Sequence, residues 1–132
     1  MDDRENERKI EKKISKILDR DHLHYQQNVF VSGSSTDFYV EPPQGGTIVF
    51  NIKNWNPSDI KGFTADALAD SIKTASGADY SYIIIPDYQI NEEIPGVVTV
   101  SNVRRLINEL PPKMKTVKPK VQKDEDYATF FL

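Results

Sequence analysis

Three polar residues lie in a stretch that is otherwise apolar and rich in turn residues: Asp37, Asn51 and Lys53. Asp37 opens one run of aromatic and β-branched residues, and Asn51 and Lys53 close a second run. A Pro- and Gly-rich segment, 42–46, separates the runs, so we expect two antiparallel strands joined by a turn. Side chains alternate along a strand, which places Asn51 and Lys53 on one face. An acid, an amide and a lysine therefore form a polar corner that offers oxygen ligands beside a positive charge.

This corner resembles the active site of the PD-(D/E)xK nuclease superfamily. In that superfamily an Asp and a Glu hold a divalent metal, and a Lys two residues after the Glu positions the attacking water. The resemblance implies a metal-ligand role for Asp37 and a catalytic role for Lys53, in the run I-V-F-N-I-K. Asn51 stands where the Glu is expected, so the predicted site is degenerate.

The missing carboxylate at position 51 determines what this site can do. An amide keeps an oxygen ligand but removes a full negative charge, and Mg²⁺ is usually held by one or two carboxylates plus waters. Glu41 lies four residues after Asp37 on the same strand, about 13 Å away, which makes Glu11 the better replacement. We expect no cofactor or weakly bound Mg²⁺, with Asp37 and Lys53 retained as an inherited ion pair.

The composition favours one soluble, cytoplasmic domain. The chain has 132 residues, of which 38% are hydrophobic and 28% charged, and its net charge is −3. No apolar run approaches the roughly 20 residues that span a membrane, and the opening residues are too polar for a secretory signal. The absence of cysteine excludes disulfides, thiol catalysis and cysteine-bound zinc. Because the net charge is negative, binding of nucleic acid would need a local basic patch.

Hydrophobic periodicity predicts three helices and five strands. A first helix, from about Arg4 to Asp19, carries Ile10, Ile14 and Leu18 on one face. A second helix begins at Ser58 or Asp59 and stops at Gly77, and its apolar face consists of Ile60, Phe63, Ala67, Leu68, Ile72 and Ala75. A third helix is capped by Ser101 and ended by two prolines. The strands are predicted at 28–31, 38–40, 47–50, 80–85 and 97–100. The order α-β-β-β-α-β-β-α indicates an α/β fold with a mixed central sheet and helices on both faces.

Within the nuclease superfamily, the archaeal Holliday-junction resolvases are most similar in size and element order. They bring a Glu from the first helix to the metal, and Glu11-Lys12-Lys13-Ile14-Ser15-Lys16-Ile17-Leu18 matches the spacing E-x-x-I-x-x-x-L. Ser32-Gly33-Ser34 resembles the Ser/Gly-rich segment that precedes their metal Asp. The resemblance, over about 7–107, implies a restriction-endonuclease-like fold, Glu11 as a metal ligand, and branched or duplex DNA as a partner.

The composition changes after residues 1–112, the predicted nuclease-like domain. Residues 113–123 contain five lysines and no helix or strand period, which predicts a flexible linker. The last nine residues, 124–132, read D-E-D-Y-A-T-F-F-L and are expected to be a disordered tail with exposed aromatic side chains. They resemble the peptide by which replication and repair proteins bind the sliding clamp (PCNA). Its partner-binding residues would be Tyr127, Phe130, Phe131 and Leu132, with Asp124 in place of the usual Gln.

Two functions from different classes follow, together with a third that we favour less. The first is an accessory protein of DNA replication or repair, nucleoid-associated, which has lost catalysis and is tethered to the clamp. The second is an active Mg²⁺-dependent, structure-specific DNA endonuclease recruited by the same tail. The third is a restriction-type or defence nuclease whose tail only dimerises. For the tail itself, the alternative to clamp binding is that Phe130, Phe131 and Leu132 pack on this domain's own sheet or pair with a second copy. We favour the first, in which the chain is not an enzyme, because of Asn51.

Overall fold

The computed structural model describes residues 3–56, 64–87, 93–113 and 117–123. Three helices and six strands form this part of the chain. The helices are α1 (Asp3–Arg20), α2 (Thr64–Ser76) and α3 (Val103–Glu109), the last preceded by a 3-10 turn at Val100–Asn102. The strands are β1 (His24–Val31), β2 (Ser34–Glu41), β3 (Ile48–Ile52), β4 (Tyr80–Ile85), β5 (Val97–Thr99) and β6 (Val121–Lys123). No helix in the described residues could cross a membrane.

The strands form one mixed sheet in the order β5-β4-β3-β2-β1-β6. β1, β2 and β3 are an antiparallel meander, whereas β4 and β5 run parallel to β3. A parallel neighbour requires a crossover, and α2 lies between β3 and β4 in the chain for that reason. The predicted α/β class, with a mixed sheet and flanking helices, is confirmed.

Helices cover the sheet on both faces. One face forms what we call the α1 core, in which Ile10, Ile14 and Leu18 of α1 and Val103 and Ile107 of α3 are buried against the central strands. The opposite face forms the α2 core, which consists of two clusters that both contact Ile72 of α2. Burial of each Ile, Leu or Val side chain contributes about 1.5–3 kcal/mol. The periodic apolar face of α1 is therefore the reason that the helix forms where the sequence predicts it.

Two details of the predicted helices are wrong. Ser101 does not cap α3; its hydroxyl and its N–H both donate to the carboxylate of Asp87, at 2.5 and 2.8 Å. Ala67 and Ala75, assigned to the apolar face of α2, are exposed. The buried positions of α2 are Ala65, Ala69 and Ser76. The predicted start of this helix at Ser58 or Asp59 lies outside the described residues.

The prediction of a flexible linker over 113–123 is also wrong for the described part of that segment. Val121–Lys123 is strand β6, which pairs antiparallel with Val29–Val31 at the outer edge of β1. The Nζ atom of Lys118 lies 2.7 Å from a carboxylate oxygen of Glu41. The edge of β1 offers unpaired backbone groups, and Val121 covers apolar surface of the α2 core. A strand of only three residues among lysines is too short to leave a period in the sequence.

Lys113 is likewise fixed to the domain. Its Nζ lies 3.0 Å from Oδ1 of Asp79, and its N–H donates to the carbonyl of Gln44. Oδ2 of Asp79 accepts hydrogen bonds from the N–H and hydroxyl of Thr47, at 2.9 and 3.2 Å. Gly45 has a φ of 99°, and a Cβ there would lie 2.2 Å from the carbonyl oxygen of Lys113, so this turn requires glycine. Asp79 thus joins the β2–β3 turn, the start of β4 and the C-terminal segment.

We expect Asp79→Asn to lower the free energy of unfolding by about 1–2 kcal/mol at pH 7, because it removes charge-assisted hydrogen bonds. Partial burial acts to raise the pKa of Asp79, but Lys113 and the Thr47 donors lower it on balance. A carboxylate with a lowered folded-state pKa stabilises the fold above its unfolded pKa of about 3.9, and this contribution is lost as the pH falls through the folded pKa.

Denaturant unfolding of both chains between pH 7 and pH 2.5 measures this effect. The control is Asp70→Asn, whose side chain is exposed on α2. A difference between Asp79→Asn and the natural chain that stays constant over this pH range would contradict the role of the Asp79 charge.

Candidate functional site

Asp37 lies where strands β2 and β3 stop pairing. The paired residues run from Val40 opposite Ile48 to Phe38 opposite Phe50. At the next position, Oδ2 of Asp37 accepts a hydrogen bond of 2.7 Å from the N–H of Ile52. The side chain thus replaces a backbone carbonyl at the end of the ladder, and this fixes the carboxylate between the two strands.

Strand β1 is distorted opposite the same position. The register of β1 and β2 places Gln27 opposite Phe38 and Val29 opposite Thr36, so Asn28 faces Asp37. Asn28 has a φ of 54°, which is uncommon for a residue inside a strand. Tyr25 packs against the α1 core but Val29 belongs to the α2 core, although residues four apart on a regular strand share a face. The strand therefore changes face at Asn28.

Glu11 of α1 is held at this distortion by two amide side chains. Its Oε1 accepts hydrogen bonds from Nε2 of Gln27, at 2.5 Å, and from Nδ2 of Asn28, at 2.8 Å. The left-handed conformation of Asn28 turns its side chain towards the helix, which explains why the strain is tolerated. The sequence pattern indicates Glu11 but neither amide donor, because a strand pattern does not show where the backbone leaves the β region.

The pKa of Asp37 depends on its burial, on its backbone hydrogen bond and on three nearby charged side chains. Burial raises the pKa of Asp37, and the nearby carboxylates of Glu11 and Glu7 raise it further. The hydrogen bond from Ile52 and the ammonium of Lys53 act in the opposite direction, but the pKa remains raised. The structure therefore brings together Asp37, Lys53 and Glu11, as expected, and adds Glu7. Glu7 lies four residues before Glu11 and so on the same side of α1, a signal that was present in the sequence.

The expected ion pair between Asp37 and Lys53 is not a direct contact. Among the salt bridges of the described residues, none joins these two side chains within 4.0 Å. Their charges interact at longer range, while the closest partner of Asp37 is the N–H of Ile52. Hydrogen bonding to the backbone, rather than pairing with lysine, is what keeps Asp37 in place.

Asn51 lies on the face of β3 opposite to α1, because its neighbours Phe50 and Ile52 are both buried in the α1 core. It precedes Ile52 on β3, and its Nδ2 is buried without a hydrogen-bond partner in the described residues. A buried, unpaired N–H group costs about 1–3 kcal/mol. Its amide oxygen could serve as a ligand, but it is neutral and adds no negative charge to hold a divalent cation.

The residues present fit a divalent metal poorly. The described part of the chain contains no group of three or more His, Asp or Glu side chains placed to hold one. Asp37 and Glu11 each use one carboxylate oxygen for hydrogen bonds within the protein. Glu41 lies near His24 and Lys118 instead. Tyr127, Phe130, Phe131 and Leu132 lie outside the described residues.

Replacing Asp37 by Asn should stabilise the protein by about 0.5–2 kcal/mol at pH 7, as is common where an ionised group is held at a cost in stability. The amide oxygen of Asn can still accept the N–H of Ile52. The sign follows from the raised pKa: ionisation of Asp37 disfavours the fold, so this penalty disappears as the pH falls through the folded pKa towards the unfolded value of about 3.9.

Thermal unfolding at pH 7 and pH 4 compares Asp37→Asn with the exposed control Asp70→Asn. A destabilised Asp37→Asn chain at pH 7 would show that the carboxylate is structural and that its charge carries no penalty.

No protein-family model, curated protein or solved structure matches this chain. The candidate functional site is therefore the polar cluster of Asp37, Lys53, Glu11 and Glu7, at the strand end that also carries Asn51.

Proposed function

We propose that this chain is a nuclease-like accessory protein of DNA replication or repair, with an impaired catalytic site, which is tethered to the sliding clamp by its C-terminal peptide. It would act in the cytoplasm with the nucleoid. The observation that carries the proposal is the position of Asp37 at the end of the β2–β3 ladder, beside Lys53, with a buried amide at Asn51 instead of a second acid on β3.

The impairment has an electrostatic cause. Two or three carboxylates near one another bind a divalent cation because the cation relieves their mutual repulsion. At this site Asp37 and Glu11 repel each other, but the amides of Gln27 and Asn28 already stabilise the Glu11 charge. Replacing a β3 carboxylate by Asn51 removes a further negative charge. We therefore expect Mg²⁺ to bind too weakly for efficient cleavage.

The alternative is an active, metal-dependent, structure-specific endonuclease. One observation favours it: Glu11 and Glu7 both lie close enough to Asp37 to raise its pKa. An acid from α1 could then compensate for Asn51. The two functions differ in a single measurable property, which is cleavage of branched DNA.

The natural chain should cut a four-way DNA junction slowly or not at all in Mg²⁺ or Mn²⁺. Asn51→Glu should increase the rate at least tenfold if one missing charge is the only defect, since each 1.36 kcal/mol of transition-state stabilisation is a factor of ten. The measurement is single-turnover cleavage of a labelled junction. Asn51→Gln, which has the length of Glu without its charge, is the matched control.

Robust cleavage by the natural chain that disappears in Asp37→Ala would replace the first function by the second. Equal rates for Asn51→Glu and Asn51→Gln would show that charge at position 51 is not what limits cleavage.

The C-terminal peptide supplies the second part of the proposal. Strand β6 ends at Lys123, and Tyr127 follows four residues later. Four extended residues span at most about 14 Å. A clamp that binds Tyr127 would therefore lie close to the domain, without a long linker between them. Because Lys123 pairs with Val29, next to Asn28, strand β6 ends beside the candidate site.

Calorimetry of the intact chain against an archaeal sliding clamp tests the peptide. Three aromatic anchors offer about 1.5–3 kcal/mol each before costs, and ordering the segment opposes this by about 2–5 kcal/mol, so we expect micromolar affinity or weaker. Phe130→Ala/Phe131→Ala should remove most of the binding, with little dependence on salt.

Lys118→Gln/Lys120→Gln is the control for a charge-driven contact. A loss of heat in this control, combined with unchanged binding of the Phe130→Ala/Phe131→Ala chain, would show that the lysines rather than the aromatic residues bind the clamp.

A further inference from the structure

The charges of α1 are sorted between its two sides. From Arg8 to Lys16 the exposed positions that carry charge are all cationic. We call this surface the basic face of α1; its members are Arg8, Lys9, Lys12, Lys13 and Lys16. The acids of the same helix that lie close to this stretch, Glu7 and Glu11, are partly buried and near Asp37. The helix thus presents positive charge to solvent and negative charge to the sheet.

This local charge is opposite to that of the whole molecule. The chain has a net charge of −3, so five exposed cations within nine residues do not reflect a generally basic protein. Two acids, Glu5 and Asp19, are exposed on α1 beyond the ends of the basic face.

We propose that the basic face of α1 binds the phosphate backbone of duplex DNA. The inference rests on the proposed DNA function and names the surface that performs it. Arg8 and Lys16 are eight residues apart, which is about 12 Å along a helix. One strand of B-DNA presents a phosphate every 3.4 Å of axis, so about three or four phosphates lie within that length. Side chains of Lys and Arg reach such phosphates without deforming the helix.

The sorting of charge also fixes which side of α1 meets DNA. Phosphates are repelled by Asp37, Glu7 and Glu11, which lie together on the sheet side of the helix. They are attracted by the basic face. DNA would therefore lie along the outside of α1, with the candidate site at its margin, and binding would need no metal ion.

The test is the salt dependence of DNA binding by the full chain. Binding is measured by the fluorescence anisotropy of a labelled duplex in the absence of divalent metal. Each phosphate neutralised contributes about 0.9 to the slope of log K against log salt. Lys12→Gln/Lys16→Gln should thus lower the magnitude of the slope by about 1.8 and weaken binding most at low salt. Gln and Lys have similar helix propensities, so α1 should persist, which circular dichroism verifies.

The matched control is Lys73→Gln/Lys120→Gln, which removes the same charge from exposed positions on α2 and before β6. An unchanged slope in this control, with the expected loss in the α1 variant, supports the proposal. The proposal is overturned if both variants lose the same amount of salt slope and DNA affinity, or if the α1 variant matches the natural chain in both. It is also overturned if neither the natural chain nor the variants bind DNA, or if the basic face binds anionic phosphatidylserine vesicles but not DNA. Neither double variant alters Asp37, Asn51 or the C-terminal aromatic residues, so a failure here leaves the cleavage and clamp tests of the proposed function intact.

Discussion

Strands β3 and β4 are apolar on both of their faces, and the rest of the fold depends on covering them. Phe50 and Ile84 point into the α1 core, while Val49 and Ile83 point into the α2 core. A sheet with two apolar faces needs helices on both sides, and the parallel arrangement of β3 and β4 supplies one of them as the crossover helix. Helices α1 and α3 cover the other side. The two buried central strands thus account for the layers.

Polar groups of the candidate site lie at the end of one of these strands because backbone pairing stops there. Asp37 completes the ladder between β2 and β3 with its side chain, and Asn28 leaves the β region opposite it. Without the Asp37 carboxylate the N–H of Ile52 would lose its acceptor, and without the left-handed backbone at Asn28 the side chains of β1 would not change face. These two residues also place the carboxylates of the site: Asp37 supplies one itself, and Asn28 positions that of Glu11 with a hydrogen bond. Strain, polarity and raised pKa coincide at one point, which is common at functional sites.

Helix α1 connects the core, the site and the solvent. Its apolar face is buried in the α1 core, its acids Glu7 and Glu11 lie near Asp37, and its exposed face is cationic. A helix has room for three such sides because successive residues are 100° apart. If the helix carries DNA on its outer face, the polar cluster on its inner side lies beside the DNA without any separate binding domain.

The sequence by itself determined the class of the fold and the central candidate residues. The period of 3.6 in α1, the continuous apolar run in β4 and the Pro- and Gly-rich turn before β3 depend on local chemistry, and these elements appear where they are expected. Strands β1 and β2 each begin four residues before their predicted starts at 28 and 38. The restriction-endonuclease-like assignment and the clamp peptide stay predictions, since they rest on short motifs. Tertiary structure alone decided the position of β6, the fixing of Lys113 by Asp79, and the amides that hold Glu11. These features bring together residues tens of positions apart, or use a single backbone angle at Asn28, and neither leaves a period in the sequence. Val121–Lys123 form a strand because they pair with the open edge of β1, whereas their own composition does not favour a strand.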